Sequence, residues 1–133
     1  MNAEMRQPIH TARLIVRPFR AADASDLYEY LSNPQTYIYE PGGPITMSLA
    51  GVVAADMATS PDFWAVEVAV IGKQIGQLYL KQIEPLELLT CELGYIFNPV
   101  YQRQGYAAEA AAALVDDAFT VRGMHRIFAH CNP

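Results

Sequence analysis

Apolar and polar residues alternate with period two in five stretches of this chain, and such alternation predicts β-strands. In residues 11–18, Leu14 and Val16 alternate with Arg13, Ile15 and Arg17, and Pro18 closes the strand because it cannot donate to a ladder. The preceding residues 1–10 are mixed, carry Pro8 and read as a loose arm. In residues 63–71 the set Trp64, Val66, Val68 and Val70 opposes Phe63, Ala65, Glu67, Ala69 and Ile71, so both faces are largely apolar and the strand is expected at the sheet centre. Gly72-Lys73-Gln74 is short enough to return residues 75–83 as a hairpin partner. After a turn at Glu84-Pro85, residues 90–97 form a third meander strand. Cys91, Leu93, Tyr95 and Phe97 share one of its faces, and Glu92, Gly94 and Ile96 the other.

Three stretches have helical period. In residues 21–33, Ala24, Leu27, Tyr28 and Leu31 recur at helical spacing, with Asp23 and Asp26 near the positive end of the dipole and Asn33-Pro34 as the stop. Thr46 is a candidate N-cap for a helix through about Ala58, with Leu49, Val52, Val53 and Met57 on its inner side. The alanine-rich stretch 107–122 places Ala107, Ala111, Leu114, Ala118 and Val121 inward and stops at Gly123. Residues 124–131 then read as a strand, with Ile127 and Ala129 alternating against Arg126, Phe128 and His130. Strand, helix and strand in this order make a crossover, which predicts that the last two strands are parallel. The whole pattern is an α+β or α/β arrangement on a mixed sheet.

Composition narrows the classes. A chain of 133 residues with 52% hydrophobic content is expected to be a single domain, residues 1–133, with a sizeable core. Its nine Lys and Arg are scattered and its net charge is −5, which argues against nucleic acid as a partner. Cys91 and Cys131 lack CxxC spacing and neighbouring ligands, so ordinary buried thiols are expected rather than a metal site or a disulfide framework. No apolar run reaches membrane-spanning length and the first residues lack a secretion signal's apolar core, so the expected location is cytoplasmic, with no membrane partner.

The chemistry concentrates where the third meander strand runs through a turn and loop into the alanine-rich helix, from Tyr95 to Ala110. A helix start presents unpaired N–H groups and the positive end of the dipole, a natural seat for phosphate. The loop is neither GxxxxGK[ST] nor GxGxxG, because Gly105 stands alone. What remains is Gln102-x-x-Gly105-x-Ala107, where Gly105 and Ala107 let backbone approach a ligand closely.

That pattern resembles the coenzyme-A pyrophosphate loop of the GCN5-related N-acetyltransferases (GNAT). The fuller run Gly94-Tyr95, Pro99-x-Tyr101-Gln102-x-x-Gly105-Tyr106-Ala107-x-Glu109-Ala110 is similar to the RimJ/RimL-like branch, which acetylates ribosomal-protein N-termini. Leu14-Ile15-Val16-Arg17-Pro18 with Asp23-Ala24, Ile75-Gly76 and Gly123-Met124-His125-Arg126 resemble it too, so the likeness covers nearly the whole chain. It implies a mixed, mostly antiparallel sheet flanked by helices, with a splayed parallel strand pair. It also implies acetyl-CoA as cosubstrate, and as partner an amine-bearing small molecule or a protein N-terminus, acetylated by direct attack.

The resemblance further assigns roles. Gln102, Arg103, Gln104, Gly105, Tyr106 and Ala107 are expected to hold the pyrophosphate, and the strand end at Ile96 and Phe97 the pantetheine arm and the oxyanion. Arg103 either adds charge to a coenzyme phosphate or is a solvated loop arginine. Glu92 is the candidate base, acting through a water, with pairing to a cation such as Arg126 as the alternative. His125 and His130 have no sequence-defined partner and read as structural, Trp64 as core, and Tyr37 and Tyr39 as cover for the core rather than an acceptor pocket. No metal is implied.

Family members continue past the position of Pro133 with a further helix and strands, so the C-terminal part is expected to be absent here. A homo-oligomer covering the exposed C-terminal edge is one consequence. The alternative function is a catalytically silent acyl-CoA-binding or interaction module.

Overall fold

The computed structural model describes residues 6–38 and 40–129, and in it the alternating stretches become neighbours in one sheet. β1 (Ile9–His10), β2 (Leu14–Pro18), β3 (Phe63–Val68), β4 (Lys73–Ile83), β5 (Thr90–Phe97) and β6 (Arg126–Ala129) stand side by side in chain order. The first four pairings are antiparallel; three of them follow short connections, whereas residues 19–62 separate β2 from β3. The β5–β6 pair is parallel, as a crossover through α3 (Tyr106–Thr120) requires.

The two faces of the sheet are covered by different helices. α1 (Ala24–Leu31) and α2 (Met47–Thr59) bring Leu27, Tyr30, Leu31 and Ala54 onto the face carrying Phe63, Ala65 and Ile96. Helix α3 brings Ala110, Leu114 and Ala118 onto the face carrying Trp64, Val66, Leu78, Leu93 and Phe97. Residues on alternate positions of one strand therefore sort into two cores, as the pleat demands. Ala110 and Ala118 of α3 are fully buried, and their small side chains seat the helix close to the sheet.

One irregularity bears on the site. Val66 pairs with Gly76 but Glu67 with Gln74, so Ile75 is an extra residue on β4. This bulge lets Ile75 join the α3-side core while Gln74 turns under α1, where its Nε2 donates to the Tyr30 hydroxyl at 2.9 Å. The Tyr30 hydroxyl in turn donates to Gln77 Oε1 at 2.9 Å, and burial raises the Tyr30 pKa.

A second anchor joins β2 to the start of α1. Arg17 Nη1 and Nη2 donate to Asp23 Oδ2 and Oδ1 at 2.9 and 2.8 Å, and Arg17 Nε donates to Glu67 Oε1 at 2.9 Å. Arg17 and Asp23 are both buried, so Asp23 serves as a counter-ion rather than only as a charge at a helix start.

Several details differ from the sequence expectation. Residues 6–10 are not a loose arm: Ile9 and His10 pair with Val16 and Ile15, and the buried Arg6 donates to the carbonyls of Phe63 and Ser60. Its guanidinium lies 4.8 Å from the centre of the Trp64 ring, which is buried in the core as expected, and burial pushes the Arg6 pKa down to about 10. β3 ends at Val68, because Gly72, with φ 65°, donates its N–H back to Val68 O and turns the chain; Val70 and Ile71 are exposed. Helix α2 has the Thr46 cap, accepting from Leu49 N, but it buries Ala50 and Ala54 and exposes Leu49 and Val52. Small residues win the inner face there because α2 packs tightly on α1. Helix α1 stops at Leu31, after a short 3-10 turn at Ala21–Asp23, and Val121 is exposed just past α3.

Cys91 is a buried free thiol whose pKa burial raises. Tyr37 packs on the α1–α2 core and donates its hydroxyl to Leu31 O, as a core cover should. Tyr39, His130 and Cys131 lie outside the described residues. Among the described residues no helix is long and apolar enough to cross a membrane.

Candidate functional site

The site begins where β5 ends. Asn98 is almost fully buried and its Oδ1 accepts from Val100 N at 3.0 Å, capping the Pro99–Tyr101 turn with the proline at the first helical position. The same residue donates its backbone N–H to Ile75 O at 2.8 Å and its Nδ2 to Glu29 Oε1 at 3.2 Å. The loop's root is thereby tied to the β4 bulge and to α1. Lys73 completes this cluster, with Nζ 2.6 Å from Glu29 Oε2 and 5.8 Å from the Tyr101 ring centre. The Lys73 hydrogen bond holds the Glu29 carboxyl below its usual range, and the Lys73 pKa is raised in return.

Beyond the turn, Gln102 is extended and donates its Nε2 to Phe97 O at 3.1 Å. Arg103 and Gly105 then both have positive φ, 65° and 81°. Gly105 is the N-cap of α3, and its carbonyl accepts from Glu109 N at 3.0 Å. The left-handed backbone at Gly105 is what swings the loop round onto the helix start, and glycine adopts it without steric cost. A pocket of about 100 Å3 opens here, lined by Phe97, Tyr101, Gln102, Arg103, Gly105, Tyr106, Ala107 and Ala108.

The loop residues named from sequence thus fall together: Phe97, Gln102, Arg103, Gly105, Tyr106 and Ala107 all line this pocket. Gln104 is exposed and is not part of its lining. Ile96 is on the opposite face of β5, packed against the α1–α2 core.

The outer edge of β5 changes along its length. β6 pairs with it from Thr90↔Arg126 to Leu93↔Ala129. Among the described residues, positions 94–97 pair only with β4. Tyr95, on the α3 face of this part of β5, is 43% exposed and stands edge-on to Phe97 with 6.2 Å between ring centres. Glu92 lies on the other face, half-buried, opposite Lys81 of β4 and Phe128 of β6. Arg126 is opposite Thr90, two positions before Phe128 on the same strand. His125 is exposed and donates its backbone N–H to Leu89 O. Among the described residues no group of three or more His, Cys, Asp or Glu side chains is placed to hold a metal ion.

Arg13 is a neighbour of the loop that the strand pattern hides. Its Nε is 2.7 Å from Glu109 Oε1, its backbone N–H donates to Glu109 Oε2 at 3.0 Å, and its guanidinium stacks 4.3 Å from the Tyr106 ring centre. The Thr11 hydroxyl also donates to Glu109 Oε2. The Thr11 and Arg13 hydrogen bonds together hold the Glu109 carboxyl below its usual range.

A mixed sheet with one parallel pair and a glycine-capped crossover helix is the architecture of an acetyltransferase fold. The chain belongs to the GNAT family, since residues 13–133 match the family model described as Acetyltransferase (GNAT) domain. It is 34% identical over 130 residues to the uncharacterized N-acetyltransferase YnaD of Bacillus subtilis, covering 94% of this chain and 73% of that protein. The structure superposes on the acetyltransferase (GNAT family) of Bacillus anthracis with a TM-score of 0.86 at 28% identity, covering 96% of this chain and 75% of the other. It shares its fold with Mycobacterium smegmatis RimJ, solved in complex with CoA-disulfide, with a TM-score of 0.73 at 21% identity over 96% of this chain and 68% of RimJ.

Proposed function

We propose that this chain, acting as a single domain, transfers the acetyl group of acetyl-CoA to a primary amine on a protein N-terminus or a small molecule. The observation that carries this reading is the left-handed Gly105 at the N-cap of α3, opening a pocket lined by Gln102, Arg103 and Tyr106. A phosphate seated there meets free N–H groups of the first turn, the positive end of a 15-residue helix and the Arg103 charge. A side chain at position 105 would be strained by the φ of 81°, which glycine adopts freely, and its Cβ would stand 3.4 Å from Arg13 Nη2, in contact with it.

Bound in this seat, acetyl-CoA supplies a thioester whose carbonyl carbon is open to an amine. The protein's part is to guide and deprotonate. The outer edge of β5 at positions 94–97, which among the described residues pairs only with β4, offers main-chain groups to an extended pantetheine arm, and a backbone N–H of Ile96 or Phe97 is the candidate donor to a developing oxyanion. Glu92, on the α1–α2 face of the same strand, is the candidate base, acting through a water. It stands about 13 Å before Ile96 at the usual strand rise, so it serves the acceptor end of the arm rather than the pyrophosphate end. The demand on a base depends on the amine: an α-amine of pKa ~7.7–8.0 needs little help, a lysine amine of ~10.4 far more.

Steady-state turnover of Glu92→Gln tests this assignment. Turnover is expected to fall more than coenzyme affinity; unchanged turnover at every pH would remove Glu92 from the mechanism. Coenzyme binding without turnover on any amine would favour a silent acyl-CoA-binding module.

A further inference from the structure

We propose that Arg13, in the turn between β1 and β2, is a further phosphate ligand of this seat and contacts the coenzyme's pyrophosphate; this rests on the coenzyme reading above. A guanidinium paired side-on with a carboxylate normally spends Nε and one Nη on its two oxygens. Here Glu109 Oε2 is already taken by the Thr11 hydroxyl and by the backbone N–H of Arg13, and Nε alone meets Oε1. Among the described residues, the Nη groups of Arg13 donate to no protein acceptor.

Their direction is set by two contacts. The guanidinium lies against the ring of Tyr106, a residue lining the pocket, and Nη2 is 3.4 Å from the point where a Cβ on Gly105 would stand. The free donors thus flank the loop glycine from the β2 side while Arg103 flanks it from within the loop. The Arg13 side chain is 44% exposed, so a ligand reaches it without any rearrangement of the core. Glu109 would repel a phosphate in the first turn of α3, but three donors hold its two oxygens, leaving the Nη face to the anion. Tyr106 and Glu109 position the cation, and Arg13 makes the contact.

Calorimetric titration of Arg13→Met and Arg13→Lys with CoA and dephospho-CoA, and NMR titration with pantetheine, separate the possibilities. Arg13→Met is expected to weaken CoA and dephospho-CoA alike by about tenfold or more, as for a charged hydrogen bond. Arg13→Lys should recover part of that loss, and pantetheine, which carries no phosphate, should bind all forms equally. Unchanged CoA affinity overturns the proposal. So does an equal loss with pantetheine, which would make Arg13 a structural clamp, or a loss with CoA but not dephospho-CoA, which would place it at the 3′-phosphate. If the unsubstituted chain binds none of the three, the coenzyme reading falls first.

Discussion

Gly76 and Phe97 face each other across the β4–β5 ladder so closely that a Cβ on Gly76 would lie 2.5 Å from Phe97 Cδ2 and 2.8 Å from Cγ and Cε2. The missing side chain lets the Phe97 ring lie flat over β4, and that ring is a wall of the candidate coenzyme pocket. Gly76→Ala is therefore expected to cost about 1–3 kcal/mol of stability through overpacking and to weaken coenzyme binding by displacing Phe97. Thermal unfolding and acetyl-CoA titration of the variant measure both effects; an unaltered melt would show that the ring has room the geometry denies it.

Asp23 holds two Nη groups of the buried Arg17, so its loss leaves that cation with Glu67, bound through Nε, as its remaining carboxylate partner. Asp23→Ala should destabilise the fold by about 2–3 kcal/mol through the lost charged hydrogen bonds, while the coenzyme affinity of the remaining folded protein stays as it was. Urea unfolding reads the first quantity. A cost under about 1 kcal/mol would mean that the pair behaves as a surface salt bridge.

Acid sensitivity follows from Glu29 and Glu109. Both carboxyls sit below their usual pKa in the folded protein, Glu29 through its Lys73 hydrogen bond and Glu109 through those from Thr11 and Arg13. A carboxylate depressed by folding stabilises fully above its unfolded pKa, about 4.3, and loses that contribution as pH falls through the lower folded value. Lys73 has the opposite sign: its raised pKa stabilises below about 10.4 and is lost as pH rises above its folded value. Stability should thus be flat through neutrality and fall below about pH 4–5. The double variant Glu29→Gln, Glu109→Gln should fall less steeply there, and salt should blunt the Glu29 share because that side chain is 42% exposed. Denaturation curves from pH 3 to 8 that run parallel for both proteins would contradict this.

Local patterns reached far into this structure, and their failures have physical causes. The bounds of β5 and the start of α3 were legible because alternation, Asn98-Pro99, Gly105 and an alanine run punctuate them within a few residues. Arg13 was invisible as a site residue because its partner, Glu109, is 96 positions away and nothing near Arg13 marks it. Asn98 carries a turn signal, yet its bond to Glu29 spans 69 positions and appears only once α1 is docked. In α2 the helix and its Thr46 cap were readable but its buried face was not. Apolar residues lie all round it, and packing against α1 selects Ala50 and Ala54 over the larger Leu49 and Val52. The strand pairing of Ile9 and His10 was hidden by the mixed composition around them.

The Gly105 loop is proposed to seat acetyl-CoA. Calorimetric titration of the chain with acetyl-CoA, beside the same titration of Gly105→Val, tests it most directly. A β-branched residue is strongly disfavoured at a φ of 81°. Saturable binding at one site is expected, weakened at least tenfold by the substitution in protein that still melts cooperatively. Absence of binding by the unsubstituted chain, or equal binding by a folded Gly105→Val variant, would contradict it.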